Sequence, residues 1–415
     1  MKRKRTCSLK SYSPNNLLTK SPEVSDSKCS YLPDECWEII FRFIHKDGFK
    51  QRCLNSLSFV SKEFLSIIDR RRFSLIVKDA TGPFLGRLLK RFTNLNSLDL
   101  SNYNGDLDML LHKISPFPLK KLTSLSISNQ HTFPANGLRA FSQNITTLAS
   151  LDCSNMFLYN NDLLLIADCF PMLKELNLGH PLVNNQTNFI NGIHCMLSKW
   201  RCIQHLNLRC TYFLNDEHVS ELSWFLRDLL SVNLRDCWML TELALYSLVR
   251  NCPSLSEFKM EYTAIGKESV GNSSVYPQLK SLYLGRNLRL TDEKIVILAS
   301  FFPNLQLLDL NTCNNISEGI CQVLRRCSKI KHLNLAHCSR VKLLGMNFVV
   351  RQLEVLNLSD TKVDDETLHV ISKNCCGLLE LLLKDCYYVT NKAVKHVEEN
   401  CTQLRLFSNR GCLLC

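Results

Sequence analysis

Apolar and polar positions alternate along this chain in a repeating unit. The pattern L-x-x-L-x-L begins at Leu95, Leu122, Leu148, Leu173, Ile203, Leu229, Leu255, Leu279, Leu305, Ile330, Leu353, Leu378 and Leu404. Successive copies start 23 to 30 residues apart. Asn409, in the last copy, is the one polar residue among the anchors. The second and third anchors are two residues apart, so they face the same way on a short strand. In the copy at Leu305 this predicts Leu308 and Leu310 pointing inward and Asp309 outward. A helix is predicted after each strand. Thr241, Thr291, Asp364 and Thr390 suit N-caps. Leu245/Leu248, Ile295/Leu298, Leu368/Ile371 and Val394/Val397 follow four and seven residues later, forming one apolar face. Pro171, Pro253, Pro277 and Pro303 precede an anchor by two residues and would stop the helix there.

One such unit cannot bury its apolar face alone, but stacked neighbours make a continuous core. The eighth position after the first anchor is Cys237, Thr263, Asn287, Cys313, Cys338, Thr361, Cys386 and Cys412 in eight copies. A small polar or thiol side chain there can serve backbone groups at a turn. Cys252, Cys327, Cys375 and Cys401 stand three residues before an anchor, where a thiol acts as a small buried hydrophobe. Segments such as Leu234-Arg235-Asp236-Cys237 through Cys252-Pro253 resemble the cysteine-containing subclass of leucine-rich repeats. The resemblance covers about three-quarters of the chain, residues 95–415, in about 13 copies. It implies an α/β solenoid, a horseshoe with parallel strands on the concave face and helices on the convex face.

Residues 30–73 follow another grammar. Leu32-Pro33-Asp34-Glu35 suits a helix start. Trp37, Ile40, Phe41 and Ile44 then form an amphipathic face, and Asp47-Gly48 interrupts it. Leu54, Leu57 and Val60 resume the pattern, and Phe64, Leu65 and Ile68 continue it, predicting three short helices. So small a unit buries little core, and a partner could cover the excess apolar surface. The order Leu-Pro-Asp-Glu, then Ile-Ile-Phe-Arg-Phe-Ile, then Leu57-x-x-Val60-Ser61-Lys62-x-Phe64 resembles the F-box. That resemblance implies binding to the Skp1 adaptor of a cullin-RING ubiquitin ligase, through Leu32, Pro33, Ile40, Phe41, Ile44, Leu57, Val60, Lys62 and Phe64. Phe64 stands where the family often has Trp, and His45 to Arg52 is more polar than usual. A cap helix sealing the first repeat is the structural alternative. Residues 1–29 are expected to be a disordered basic tail, and 74–94 a linker or cap.

Charge and composition narrow the function. Of the formal +12, residues 1–94 hold 19 Lys/Arg against 9 Asp/Glu, whereas 95–415 hold 31 against 29. The near-neutral repeats argue against nucleic acid as the main partner. Lys2-Arg3-Lys4-Arg5 leads into polar residues, and no apolar run is long enough for a membrane span, so a cytoplasmic or nuclear protein with 21 free thiols is expected. No phosphate-binding loop, metal-ligand motif or catalytic constellation stands out, which predicts a non-catalytic protein without cofactor or metal. Cys412-Leu413-Leu414-Cys415 is half of a zinc site and only roughly a prenylation signal; Cys412 reads better as another turn residue, with lipidation the alternative.

The outward strand positions of the early copies, such as Ser97, Asp99, Ser124 and Ser126, are bland. The middle copies offer His205, Arg209, Arg235, Lys259 and Tyr283, and one residue further round Tyr262 and Arg286. Arginine and tyrosine are enriched at binding hot spots, which marks these residues as a candidate surface for an acidic or phosphorylated target; the alternative is an ordinary charged surface, with Glu257 and Glu261 partly compensating. The expected function is substrate recognition for an Skp1–cullin–F-box ligase. The alternatives are an interaction scaffold without a ligase role and a small-molecule-sensing receptor.

Overall fold

The computed structural model describes residues 32–33, 36–37, 39–40, 56–57, 59–70, 72–182, 185–200, 202–267 and 274–408. Phe41, Ile44 and Cys412 lie outside them, as do Asn409 and the tail 1–29. Two compact units divide between Ile68 and Asp69.

Among the described residues the larger unit forms one parallel sheet of 14 strands in strict chain order, from Ser74–Lys78 to Leu406–Ser408. Order and direction follow from the repeat, since each connection carries the chain one strand forward. The sheet is open, with the first and last strands as its edges. Most strands are three residues long, and the middle residue is the second anchor. Leu308, for instance, pairs with Leu282 on one side and Leu333 on the other. Every anchor from Leu95 through Leu383 is buried in one continuous core. Each fully buried leucine contributes about 1.5–3 kcal/mol of apolar burial. The segment 74–94, read from sequence as a linker or cap, supplies the first strand, a 3-10 turn Asp79–Phe84 and a helix Leu85–Arg91. Its strand pairs in parallel with Ser97–Asn102.

Helices begin where caps were expected. Thr241, Thr291, Asp364 and Thr390 are the N-caps of Glu242–Asn251, Asp292–Phe301, Asp365–Asn374 and Asn391–Asn400. A second fastening was not legible: first-turn aspartates hold the next repeat. Asp216 accepts from Thr241 N and Oγ1 at 2.8 and 2.7 Å, and Asp365 from Thr390 N and Oγ1 at 2.7 and 2.6 Å.

The turn after each strand explains the thiol column. Sγ of Cys237, Cys313, Cys338 and Cys386 donates to the carbonyl of Leu208, Leu284, Leu310 and Leu358, one repeat earlier, at 3.0–3.3 Å. Thr361 Oγ1 and Asn287 Nδ2 also serve turn carbonyls. Burial pushes the thiols of Cys237 and Cys313 up to about 12 and that of Cys338 up to about 11. These are structural hydrophobes with a weak donor.

Among the described residues eleven non-glycine residues adopt a left-handed backbone, with φ between 54° and 62°, and all stand seven residues after a first anchor. The reason is hydrogen bonding. A left-handed residue turns its N–H toward the next repeat, so Thr312 N reaches Ala336 O at 2.8 Å and Arg286 N reaches Asn311 O at 2.7 Å. The parallel ladder thereby continues past the strand. Asn and Asp tolerate this conformation; a β-branched residue is strained in it. Thr312→Asn should therefore stabilise the unit by about 0.5–1 kcal/mol, read as a higher urea midpoint at unchanged slope. No shift, or a lower midpoint, would contradict the strain.

The smaller unit has helical backbone at Cys36-Trp37, Ile39-Ile40 and Ser56-Leu57 and a helix from Lys62 to Arg70. Ser61 Oγ accepts from Phe64 N at 3.1 Å and so caps that helix. Ile67 and Ile68 are buried, with Trp37, Ile40, Leu57 and Phe64 packed on them. Trp37 and Phe64 meet edge to face with ring centroids 4.6 Å apart.

Candidate interaction surfaces

The exposed face of the sheet is set by the alternation of the strands. Its central column, four residues after each first anchor, mostly performs a structural task. Asp99, Asp152, Asn177, Asn207, Asn233, Asp309, Asn334 and Asn357 each accept from the backbone N–H two residues on, at 2.9–3.1 Å. These side chains close the strand into its turn. Lys259 and Tyr283 interrupt the column in adjacent repeats. With no turn to close, they face solvent and each other, Lys259 Nζ lying 5.3 Å from the Tyr283 ring centroid.

Around this break the structure gathers most of the sequence-predicted residues. Arg209 Nε donates to Asp236 Oδ2 at 2.8 Å, which raises the Arg209 pKa. Arg235 lies 3.5 Å from Asp236 and 3.8 Å from Glu261. Lys259 pairs with Glu257 at 2.6 Å. His205 is exposed on its strand. Tyr262 and Arg286 hold left-handed turn positions and are also exposed. The sequence suggested a basic patch that Glu257 and Glu261 partly compensate. The fold neutralises it, because Asp236, Glu257 and Glu261 come from neighbouring columns and meet three of the cations. Among the described residues none pairs with the Arg286 guanidinium. Partly exposed pairs of this kind add about 0–1 kcal/mol each. Their main effect is to fix the side chains in place.

The network is incomplete. Arg235 Nε and Glu261 Oε2 are buried without a hydrogen-bond partner among the described residues. Burial raises the Glu261 pKa against the pull of Arg235. A buried donor and a buried acceptor left open are costly unless something meets them.

Two features were missed from sequence. A polar groove of about 420 Å3 runs across the strands from Ser124 to Lys259. Ser124 and Ser126, read as bland, line it together with Asp152, Asn177, Asn207, His205 and Lys259. Beside the ion network, Tyr212 and Trp238 stack with centroids 4.7 Å apart and are 44% and 55% exposed. Both stand nine residues after a first anchor, in consecutive copies, so reading that column across repeats would have found them. In the later copies Leu307, Val355 and Leu382, apolar at outward positions, are half-buried rather than open.

In the smaller unit the F-box-like residues separate into two groups. Ile40, Leu57 and Phe64 pack into its own core. Leu32, Pro33, Val60 and Lys62 are exposed. Val60 is 64% exposed and Phe59, unmarked by the sequence reading, is 89% exposed.

No group of three or more His, Cys, Asp or Glu side chains among the described residues is placed to hold a metal ion. No helix among them is long and apolar enough to cross a membrane.

The ordered parallel sheet, the buried anchors and the helix in nearly every turn define the larger unit as a leucine-rich-repeat solenoid. No family model matches the chain. It is 30% identical over 123 residues to antagonist of mitotic exit network protein 1 of Eremothecium gossypii, over 28% of this chain and 31% of that protein. It is 26% identical over 212 residues to BTB/POZ domain-containing protein FBL11 of Arabidopsis thaliana, over 49% of this chain and 21% of that protein. The chain thus covers less than a third of the length of these two relatives. The solved TLR13–ssRNA13 complex superimposes with a TM-score of 0.53 at 17% identity, over 81% of this chain and 52% of that one, a likeness of fold.

Proposed function

We propose that this protein is a substrate receptor of an Skp1–cullin–F-box ubiquitin ligase, acting in the cytoplasm or nucleus. The repeat solenoid captures a target protein, and the helical unit ahead of it docks on an Skp1-type adaptor. The carrying observation is the apolar surface of the small unit. Its core uses Trp37, Ile40, Leu57, Phe64, Ile67 and Ile68, yet Leu32, Ile39, Phe59 and Val60 remain exposed. A unit of this size with so much apolar surface fits one that is completed by a partner. The protein does no covalent chemistry in this reading; it raises the effective concentration of target beside a ubiquitin-loaded enzyme.

Target capture is assigned to the break in the turn-closing column, with Arg209, Arg235, Lys259, Tyr262, Tyr283 and Arg286 and the neighbouring His205. Arg286 offers an exposed cation that meets no acidic partner among the described residues. An acidic segment would meet it.

The test is capture of purified Skp1 by the full chain and by a Phe59→Glu/Val60→Glu variant. Both side chains are exposed, so the fold is retained. Wild-type capture reduced at least about tenfold by the charges is expected, since each buried apolar side chain contributes about 1.5–3 kcal/mol. Absence of capture by the wild-type chain refutes the adaptor role and leaves an interaction scaffold. The target surface is tested separately by Arg209→Ala/Arg235→Ala/Arg286→Ala, which should abolish capture of the target recovered from cells with the proteasome blocked. Undiminished capture would remove this patch from the mechanism.

A further inference from the structure

The helical layer of the larger unit is interrupted between the strands His332–Asn334 and Val355–Asn357, where the segment from Val341 to Gln352 forms no helix. The helix before it, Gly319–Arg326, packs on Asp292–Phe301, and the helix after it, Asp365–Asn374, packs on Asn391–Asn400. Leu343, Met346 and Val350 of the segment turn inward and are buried. Leu344 and Val349 turn outward, 43% and 53% exposed, and Phe348 is half-buried. Asn374 Nδ2 donates to Met346 O at 2.8 Å and Val350 N donates to Asn374 O at 2.7 Å, which fastens the segment to the following helix. The charge here is one-sided. From Gly319 to Leu353 the chain has seven Lys/Arg and no Asp/Glu. Lys331 pairs with Glu354, and the other six meet no acidic side chain among the described residues. Arg325 lies across the apolar strip: its guanidinium is 4.9 Å from the Phe348 ring centroid, and Nη2 donates to Asn347 Oδ1 at 2.7 Å. Lys342 and Arg351, near the two ends of the segment, are exposed.

We propose that this strip receives an acidic amphipathic helix of a partner protein, in the place that this repeat leaves without a helix of its own. The apolar stripe of the guest covers Leu344, Phe348 and Val349. Its flanking carboxylates meet Arg325, Lys342 and Arg351. Arg325 gives the contact its direction, because the Phe348 ring and Asn347 hold the guanidinium in place and leave its other N–H groups to donate to a carboxylate. The neighbouring helices are 8 and 10 residues long, so the guest has about two to three turns at 3.6 residues per turn. An anionic membrane shares the charge preference. The exposed apolar side chains, however, form a strip within one repeat between two packed helices, which suits a cylinder about 10 Å wide better than a plane. The strip belongs to the helical layer and not to the exposed sheet face assigned to the target, so both can be occupied together.

The probe is a displayed library of helical peptides about 12 residues long, selected on the full chain. Two variants serve for comparison: Leu344→Glu/Val349→Glu removes the apolar contact, and Arg325→Ala/Lys342→Ala/Arg351→Ala removes the charge. All five side chains are exposed, and a circular dichroism melt of each variant verifies the fold. Selected peptides are expected to carry apolar residues at i, i+3, i+4 and i+7 with Asp or Glu beside them. Their affinity, read by fluorescence anisotropy, should fall at least about tenfold in the first variant. In the second it should fall at least about fivefold at ~50 mM salt, and by less at ~500 mM. Arg209→Ala/Arg235→Ala/Arg286→Ala should bind the peptides like the wild type, which separates this strip from the target surface. Peptides that lack acidic residues, or that bind the first two variants as tightly as the wild type, overturn the proposal. So does a library that yields no binder, and flotation with phosphatidylcholine–phosphatidylserine vesicles that is lost in Leu344→Glu/Val349→Glu would then assign the strip to a lipid surface.

Discussion

Raising the pH from 8 to 10 should destabilise the repeat unit by several kcal/mol, on the order of a few thiol titrations. Burial pushes the thiols of Cys237, Cys252, Cys313 and Cys375 up to about 12. It pushes those of Cys321, Cys327 and Cys338 up to about 11. A thiol in the unfolded chain titrates near 8.5. The folded state therefore keeps its protons when the unfolded state has released them. The contribution is fully present below about 8.5 and is lost as the pH climbs toward 11–12. At pH 10 each of these thiols costs about 1–2 kcal/mol. Domain stabilities are about 5–15 kcal/mol. Burial raises the pKa of Tyr246 as well, which acts in the same direction. Urea unfolding under reducing conditions at pH 8, 9 and 10 measures this. Equal midpoints at pH 8 and 10 would show that the thiols are not the closed, dry groups described above. Replacing Cys237, Cys313 and Cys338 by Thr, the residue already present in that column at Thr263 and Thr361, should move the alkaline transition upward.

Gly266→Ala should cost about 3 kcal/mol or more. Gly266 has φ of 97°, where a side chain is strained, and an added Cβ would lie 2.4 Å from the backbone oxygen of Arg289. The position is fastened on both sides. Gly266 N donates to the buried Glu242 Oε1 at 2.7 Å, and Lys294 Nζ donates to Gly266 O. The chain cannot shift to relieve the clash without loosening the Glu242 carboxylate, which is only 3% exposed. The matched control is Gly345→Ala, whose new Cβ would meet only Cys321 Sγ at 3.9 Å. That change should stay within about 0.5 kcal/mol of wild type. Comparable losses at the two glycines, measured by urea denaturation, would refute the close-approach argument.

The two docking surfaces differ in how much of them could be read from the chain. For the small unit, sequence marked the helical face but not its division. Ile40, Leu57 and Phe64 resemble adaptor contacts in the motif, yet here they close the core around Ile67 and Ile68. Phe59, the most exposed large apolar residue there, carried no motif signal. For the solenoid, sequence located the middle copies. It named Glu257 and Glu261 as partly compensating charges, but which cation each acid meets, and that Asp236 reaches Arg209, follow only from stacking.

The repeat length, the inward anchors, the helix caps and the cysteine columns were all determined by the sequence alone. Each depends on residues within about 25 positions of one another and on a periodicity of 2 or 3.6. Asp364 caps its helix as its neighbours dictate, and Leu308 is buried because Leu310 and Leu305 are. Relations across repeats were decided by tertiary structure. Tyr212 meets Trp238, His369 meets His396, and Lys259 covers Tyr283. Those partners are 24 to 27 residues apart. Tyr212/Trp238 and Lys259/Tyr283 touch because parallel stacking sets equivalent positions of neighbouring strands about 5 Å from each other, and the two histidines because successive helices pack side by side. A linear pattern shows which residues share a column. Contact between side chains in neighbouring columns, and the neutralisation of one charge by another, arise only once the register of the stack is fixed.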